Sequence, residues 1–134
     1  MKKPKKYYRV IQLGMIPYDI LVCQGMPSIE VKGYLKRKYK LEFPEPTTPE
    51  EKDAWEETAT RRGRTYQLGG NQIVLWLKDP PITPVSISTL AHEALHAINY
   101  VAMTAGIDFG HDSEEFFAYG LEYIVEEVLK DFKN

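Results

Sequence analysis

The chain has a single cysteine, Cys23, among 134 residues. That excludes an internal disulfide and leaves no thiol pair for a zinc site built on cysteine. Flanked by Ile20, Leu21 and Val22, this thiol reads as a buried, inert one. Neither sign of charge predominates: the formal net charge is −2. A basic stripe for nucleic acid or an anionic membrane is therefore not expected, and the lysines at 2, 3, 5 and 6 read as a solvated tail. No apolar run approaches the length needed to cross a bilayer. Arg9, Gln12 and Asp19 interrupt what would have to be a signal-peptide core, so a cytoplasmic protein without a membrane segment is expected. Repeats and low-complexity tracts are also lacking.

What remains is ordinary soluble composition, 43% hydrophobic and 27% charged, over a length that suits one domain spanning residues 1–134. Residues 7–13 are rich in β-formers and end at Gly14, and a second apolar run follows Pro17 over 18–23; either suits a strand. A surface helix is expected over 28–40, and another from Pro49 to about Arg61, where Thr48 can cap, Pro49 opens the first turn and Trp55 is the main apolar anchor. Residues 64–68 and 71–77 flank Gly69-Gly70 and read as a β-hairpin. Its second strand is almost continuously apolar, which suits a strand covered on both faces. Alternatively, it is an edge to which an extended peptide is added. The class expected is α+β: a small, largely antiparallel sheet packed on a helix over 85–105 and a C-terminal helix over 112–132.

The first of those helices carries the most informative five residues. Histidine is scarce, yet two of the three stand four apart, in His92-Glu93-Ala94-Leu95-His96. Residues at that spacing lie one above the other on a helix face, so two imidazoles can serve one metal ion. Glu93, one step round, can act as general base toward a metal-activated water, the chemistry of amide hydrolysis. The flanks agree with a helix: a proline-rich turn over 79–84 precedes it, the interior lacks Pro and Gly, and Gly106 stops it. Ile87, Leu90, Ala91, Ala94, Ile98, Val101 and Ala102 form the expected core stripe; Ser88, His92, His96, Asn99 and Met103 share a neighbouring face.

A catalytic zinc ion takes three protein ligands and keeps one position open, so a third ligand must come from elsewhere. The candidates lie in Gly110-His111-Asp112-Ser113-Glu114-Glu115, where Asp112 or Ser113 can cap a helix whose apolar face is Phe117, Leu121, Ile124, Val125, Val128 and Leu129.

His92-Glu93-x-x-His96, eighteen intervening residues and then Glu115-Phe116-Phe117-Ala118 resembles the gluzincin pattern. The Glu115-x-x-Ala118-Tyr119 ending is similar to small H-E-x-x-H proteins encoded by phages and prophages. The resemblance covers about a quarter of the chain. It implies a zincin-like fold, a zinc ion (Zn2+) held by His92, His96 and Glu115, and Glu93 as general base, but no substrate. In thermolysin-like gluzincins an Asp four residues after the ligand Glu orients a zinc histidine. Tyr119 stands there instead, where it can orient His92, donate to a developing oxyanion, or simply pack in the core. A second resemblance, to SprT- or Spartan-like proteases, makes His111 the third ligand, with Asp112 in place of that pattern's second glycine. Glu114 is a further alternative.

The function expected is that of a zinc metallopeptidase acting on a peptide or protein. The alternative is a phage-derived accessory or interaction protein whose zinc site is structural or vestigial.

Overall fold

The computed structural model describes residues 7–12, 19–25, 28–40, 49, 62–68 and 72–132. Strands β1 (Tyr7–Gln12), β2 (Asp19–Gln24), β3 (Gly63–Leu68) and β4 (Gln72–Leu77) form one sheet in the order β1-β2-β4-β3. β1 runs antiparallel to β2 and β3 antiparallel to β4, while β2 and β4 are parallel, in register from Asp19 opposite Gln72 to Gln24 opposite Leu77. Among the described residues the longer helices are α1 (Ser28–Tyr39), α2 (Pro84–Ala105) and α3 (Glu114–Leu129). The α+β class and the mostly antiparallel pairing agree with the sequence expectation. Of the helix expected over 49–61, only Pro49, which is helical, lies within the described residues; Trp55 and the Gly69-Gly70 turn lie outside them.

The sheet is the middle of three layers. Side chains alternate across a strand, so Ile20 and Val22 of β2 and Ile73, Leu75 and Leu77 of β4 face α2 and α3 in one core. Leu21 and Cys23, Val74 and Trp76, and Tyr66 and Leu68 of β3 face Val31 and Leu35 of α1 in the other. This explains the continuous apolar run of β4. It is an inner strand covered on both faces, buried from Ile73 to Leu77, so the edge reading of that strand is corrected. Among the described residues the edges are β1 and β3.

α2 begins at a reciprocal cap. The Ser86 amide donates to Thr83 Oγ1 at 3.2 Å and the Thr83 amide to Ser86 Oγ at 3.0 Å, with Pro84 where its missing N–H costs nothing. It ends at Gly106, whose φ of 72° is left-handed, followed by an Ile107 amide that donates to the Ala102 carbonyl at 2.8 Å. α3 packs along α2 through Phe117, Ile124 and Val128. Gly120 permits the approach: a Cβ there would lie 2.5 Å from Ile98 Cδ1 and 2.9 Å from Cγ1.

Two outcomes follow from this packing. Gly120→Ala should destabilise the protein by about 1–3 kcal/mol through overpacking, despite alanine's better helix propensity, and the loss should shrink in an Ile98→Val background, as read by urea denaturation. Burial pushes the Cys23 thiol up to about 12 from 9.0. The unfolded chain then loses this proton well before the native one, so stability should fall as pH rises from about 9 toward 12. A maleimide at pH 8 should label Cys23 only after denaturation.

Candidate metal centre

His92 and His96 fall two positions before and after Ala94, which is fully buried. On a helix two positions is a turn of about 200°, so both imidazoles lie on the face of α2 away from the core, and both are exposed. Their rings meet edge to face, centroids 4.9 Å apart and planes at 72°. Nε2 of one lies 3.2 Å from Nε2 of the other. Zn–N bonds of about 2.0–2.1 Å at a tetrahedral angle would place the two nitrogens about 3.3 Å apart. The separation therefore suits two ligands of one small ion, and it also suits one imidazole donating to its neighbour.

Glu93 behaves differently. It is 6% exposed, the only buried acid among the described residues. The core stripe of α2 is rotated from the sequence expectation: Ser86, Leu90, Glu93, Ala94, Ala97, Ile98, Val101 and Ala102 are buried, whereas Ile87 is 37% exposed. The rotation places Glu93 against β3, where Thr65 Oγ1 stands 2.7 Å from its Oε2 and 2.9 Å from its main-chain oxygen. A buried carboxylate without such a partner would be strongly unfavourable. Gly63, two residues earlier on the same face of β3, leaves room for the acid: a Cβ there would meet Thr89 Cγ2 at 2.9 Å, Glu93 Cγ at 3.0 Å and the Trp76 carbonyl at 3.1 Å.

His92, Glu93 and His96 offer ligand atoms that all lie within 4.8 Å of one another. Glu115 is not a member of that group; it is exposed in the first turn of α3. Neither Glu114, exposed beside it, nor His111, exposed in a short 3-10 turn over His111–Ser113, belongs to the group. Tyr119, one turn beyond Glu115 on the same face, is 66% exposed, so the core reading of that tyrosine is corrected. Ser113 opens α3 without a side-chain cap bond to it; its hydroxyl instead accepts from the Gly110 amide at 3.0 Å and approaches the Asp108 carbonyl.

An open groove of about 640 Å³ runs past His92 and Glu93, between Arg62 and Gly63 on one side and Val85, Ser88 and Thr89 on the other. A smaller hollow of about 210 Å³ shares Arg62, Val85 and Thr89 and adds Asp79 and Ser86. The groove can hold a chain segment beside the His92 imidazole and the buried acid.

Sequence reasoning missed Gly63 and Thr65. The available signal was faint: a glycine and a hydroxyl two apart on a strand, alternating with Arg64 and Tyr66. No protein-family model, curated protein or solved structure matches the chain.

The contact at Gly63 has a measurable consequence. Gly63→Ala should cost about 1–3 kcal/mol of stability, and adding Thr89→Ser, which removes the nearest of the three clashing atoms, should recover part of that in thermal or urea unfolding.

Proposed function

We propose that the protein is a zinc-dependent metallopeptidase, a hydrolase in which His92 and His96 hold the ion, Glu115 completes the ligand set and Glu93 is the general base. The observation that carries this reading is the 3.2 Å separation of the two Nε2 atoms beside a carboxylate that is buried and fixed. Surface histidines and acids scattered for solubility have no reason to combine those features. Glu115 comes from the gluzincin resemblance, and it stands exposed in the first turn of α3.

Bound there, zinc would act as a Lewis acid toward the scissile carbonyl and a water molecule. Glu93 takes a proton from that water as its oxygen adds to the carbonyl carbon, then returns the proton to the departing nitrogen as the C–N bond breaks. The groove past His92 and Glu93 receives the substrate, and β3, an edge strand among the described residues, is the kind of element that aligns an extended peptide by strand addition. The partner is thus a peptide or protein, and the place of action the cytoplasm. No helix among the described residues is long and apolar enough to cross a membrane.

Metal analysis of the purified protein should give one zinc per chain, lost in His92→Ala and His96→Ala. Glu115→Ala should lose it as well, while His111→Ala keeps it; the reverse pattern would transfer the third-ligand role to His111. Glu93→Gln should retain zinc yet lower turnover of a peptide or protein substrate at least about 100-fold. A zinc-loaded wild type that cleaves nothing in a mixed-substrate screen would defeat the proposal.

A further inference from the structure

Glu93 is buried against a strand, and the strand carries two residues shaped to receive it. The Thr65 hydroxyl is the only hydrogen-bonding partner of the Glu93 side chain among the described residues, and it sits 28 positions away in sequence. Thr65 is itself buried, 9% exposed. Its position in the sheet is set by pairing with Leu75 of β4, an inner strand, so the hydroxyl is held in register by the core of the sheet although β3 itself lies at the edge among the described residues. Threonine is also stiff at χ1, which fixes the direction of its oxygen.

We propose that Thr65 is the positioning residue of Glu93, aided by Gly63, and that β3 thereby sets the orientation of the general base. This rests on the reading of Glu93 as that base. Thr65 anchors Oε2, leaving Oε1 for the groove that Glu93 lines. Gly63 contributes by absence: the Glu93 Cγ passes 3.0 Å from where a Cβ at 63 would stand, so any side chain there would push the acid out of its path.

The hydroxyl also serves both forms of the base. It has one proton to donate and lone pairs to accept with, and it lies within reach of two oxygens of Glu93, at 2.7 Å and 2.9 Å. Toward the ionised acid it donates to Oε2. When the groove-side oxygen has taken a proton, Oε2 is the carbonyl oxygen of the neutral acid and still accepts from the same hydroxyl. The carboxyl group stays in one place through a cycle of taking and returning a proton. A valine of the same shape can do neither.

Zinc-loaded Thr65→Val and Thr65→Ser proteins test this, with zinc content, the carboxyl carbon-13 signal of Glu93 in glutamate-labelled protein (assigned by its loss in Glu93→Gln), and the kcat and KM of a cleaved substrate as readouts. Zinc content should be the same in wild type and both variants, because the Thr65 hydroxyl bonds to Glu93 and not to either histidine. Thr65→Val should shift or broaden the Glu93 signal and lower kcat about 10- to 100-fold, the worth of a hydrogen bond to a charged group, with little change in KM. Thr65→Ser should restore the signal and most of the rate. An unmoved signal in Thr65→Val, or equal displacement in both variants, would overturn the proposal. Thr65→Ala replaces Thr65→Val if the latter does not fold. Absence of turnover in the wild type would defeat the reading of Glu93 as a base, whereas the carboxyl signal decides by itself whether Thr65 holds the acid.

Discussion

The hydrogen bond between Thr65 and Glu93 ties the chemistry of α2 to the sheet. A carboxylate 6% exposed would be a serious defect in a fold of this size without a donor at hand. Meeting that need helps set the rotation of α2 about its axis: with Glu93 turned to β3 and Ala94 in the core, His92 and His96, each about 200° round from Ala94, turn outward together. Ile87, apolar and in phase with a conventional stripe, is left 37% exposed as the other consequence of the same rotation.

The sheet order makes that arrangement rigid. β4 lies between β2 and β3 with apolar cores on both faces, and it holds Thr65 opposite Leu75 and Gly63 opposite Leu77. A one-residue slip of β3 would exchange Thr65 for Arg64 or Tyr66 on the face toward Glu93. The slip would also remove Tyr66 and Leu68 from the core under α1. Hydrophobic burial on one face of β3 therefore enforces the polar contact on the other.

Much of this was legible in the chain. The four-residue spacing of His92 and His96, the proline before α2 and the glycine after it located the helix and its ends to within a residue, because caps and periodicity are local. The strands were legible from composition, and the inner position of β4 from its lack of polar alternation. The orientation of α2 was not. Glu93 reads as a surface residue on any polarity scale, and its burial depends on a threonine 28 positions away on another element, a strand-to-helix contact that leaves no local mark. Glu115 illustrates the opposite limit: spacing and resemblance single it out, but it is exposed and stands outside the group of His92, Glu93 and His96.

The two readings of a metal at His92 and His96 ask different things of the fold. A structural ion is closed off by protein ligands and supplies folding energy that the chain lacks without it. Here both cores are assembled from apolar residues of β2, β3, β4 and the three helices, with no contribution from either imidazole; both histidines are exposed, and His92 lines an open groove. An ion so placed has little folding work to do. The residues of α2 that share the histidine face, Ser88, Asn99 and Met103, include no carboxylate or imidazole to close its coordination. What the fold does secure is the acid between the histidines, by a strand, a hydroxyl and a missing side chain. Fixing a potential base that firmly while leaving the two candidate ligands at the surface suits the proposed replaceable, reactive ion better than a structural one.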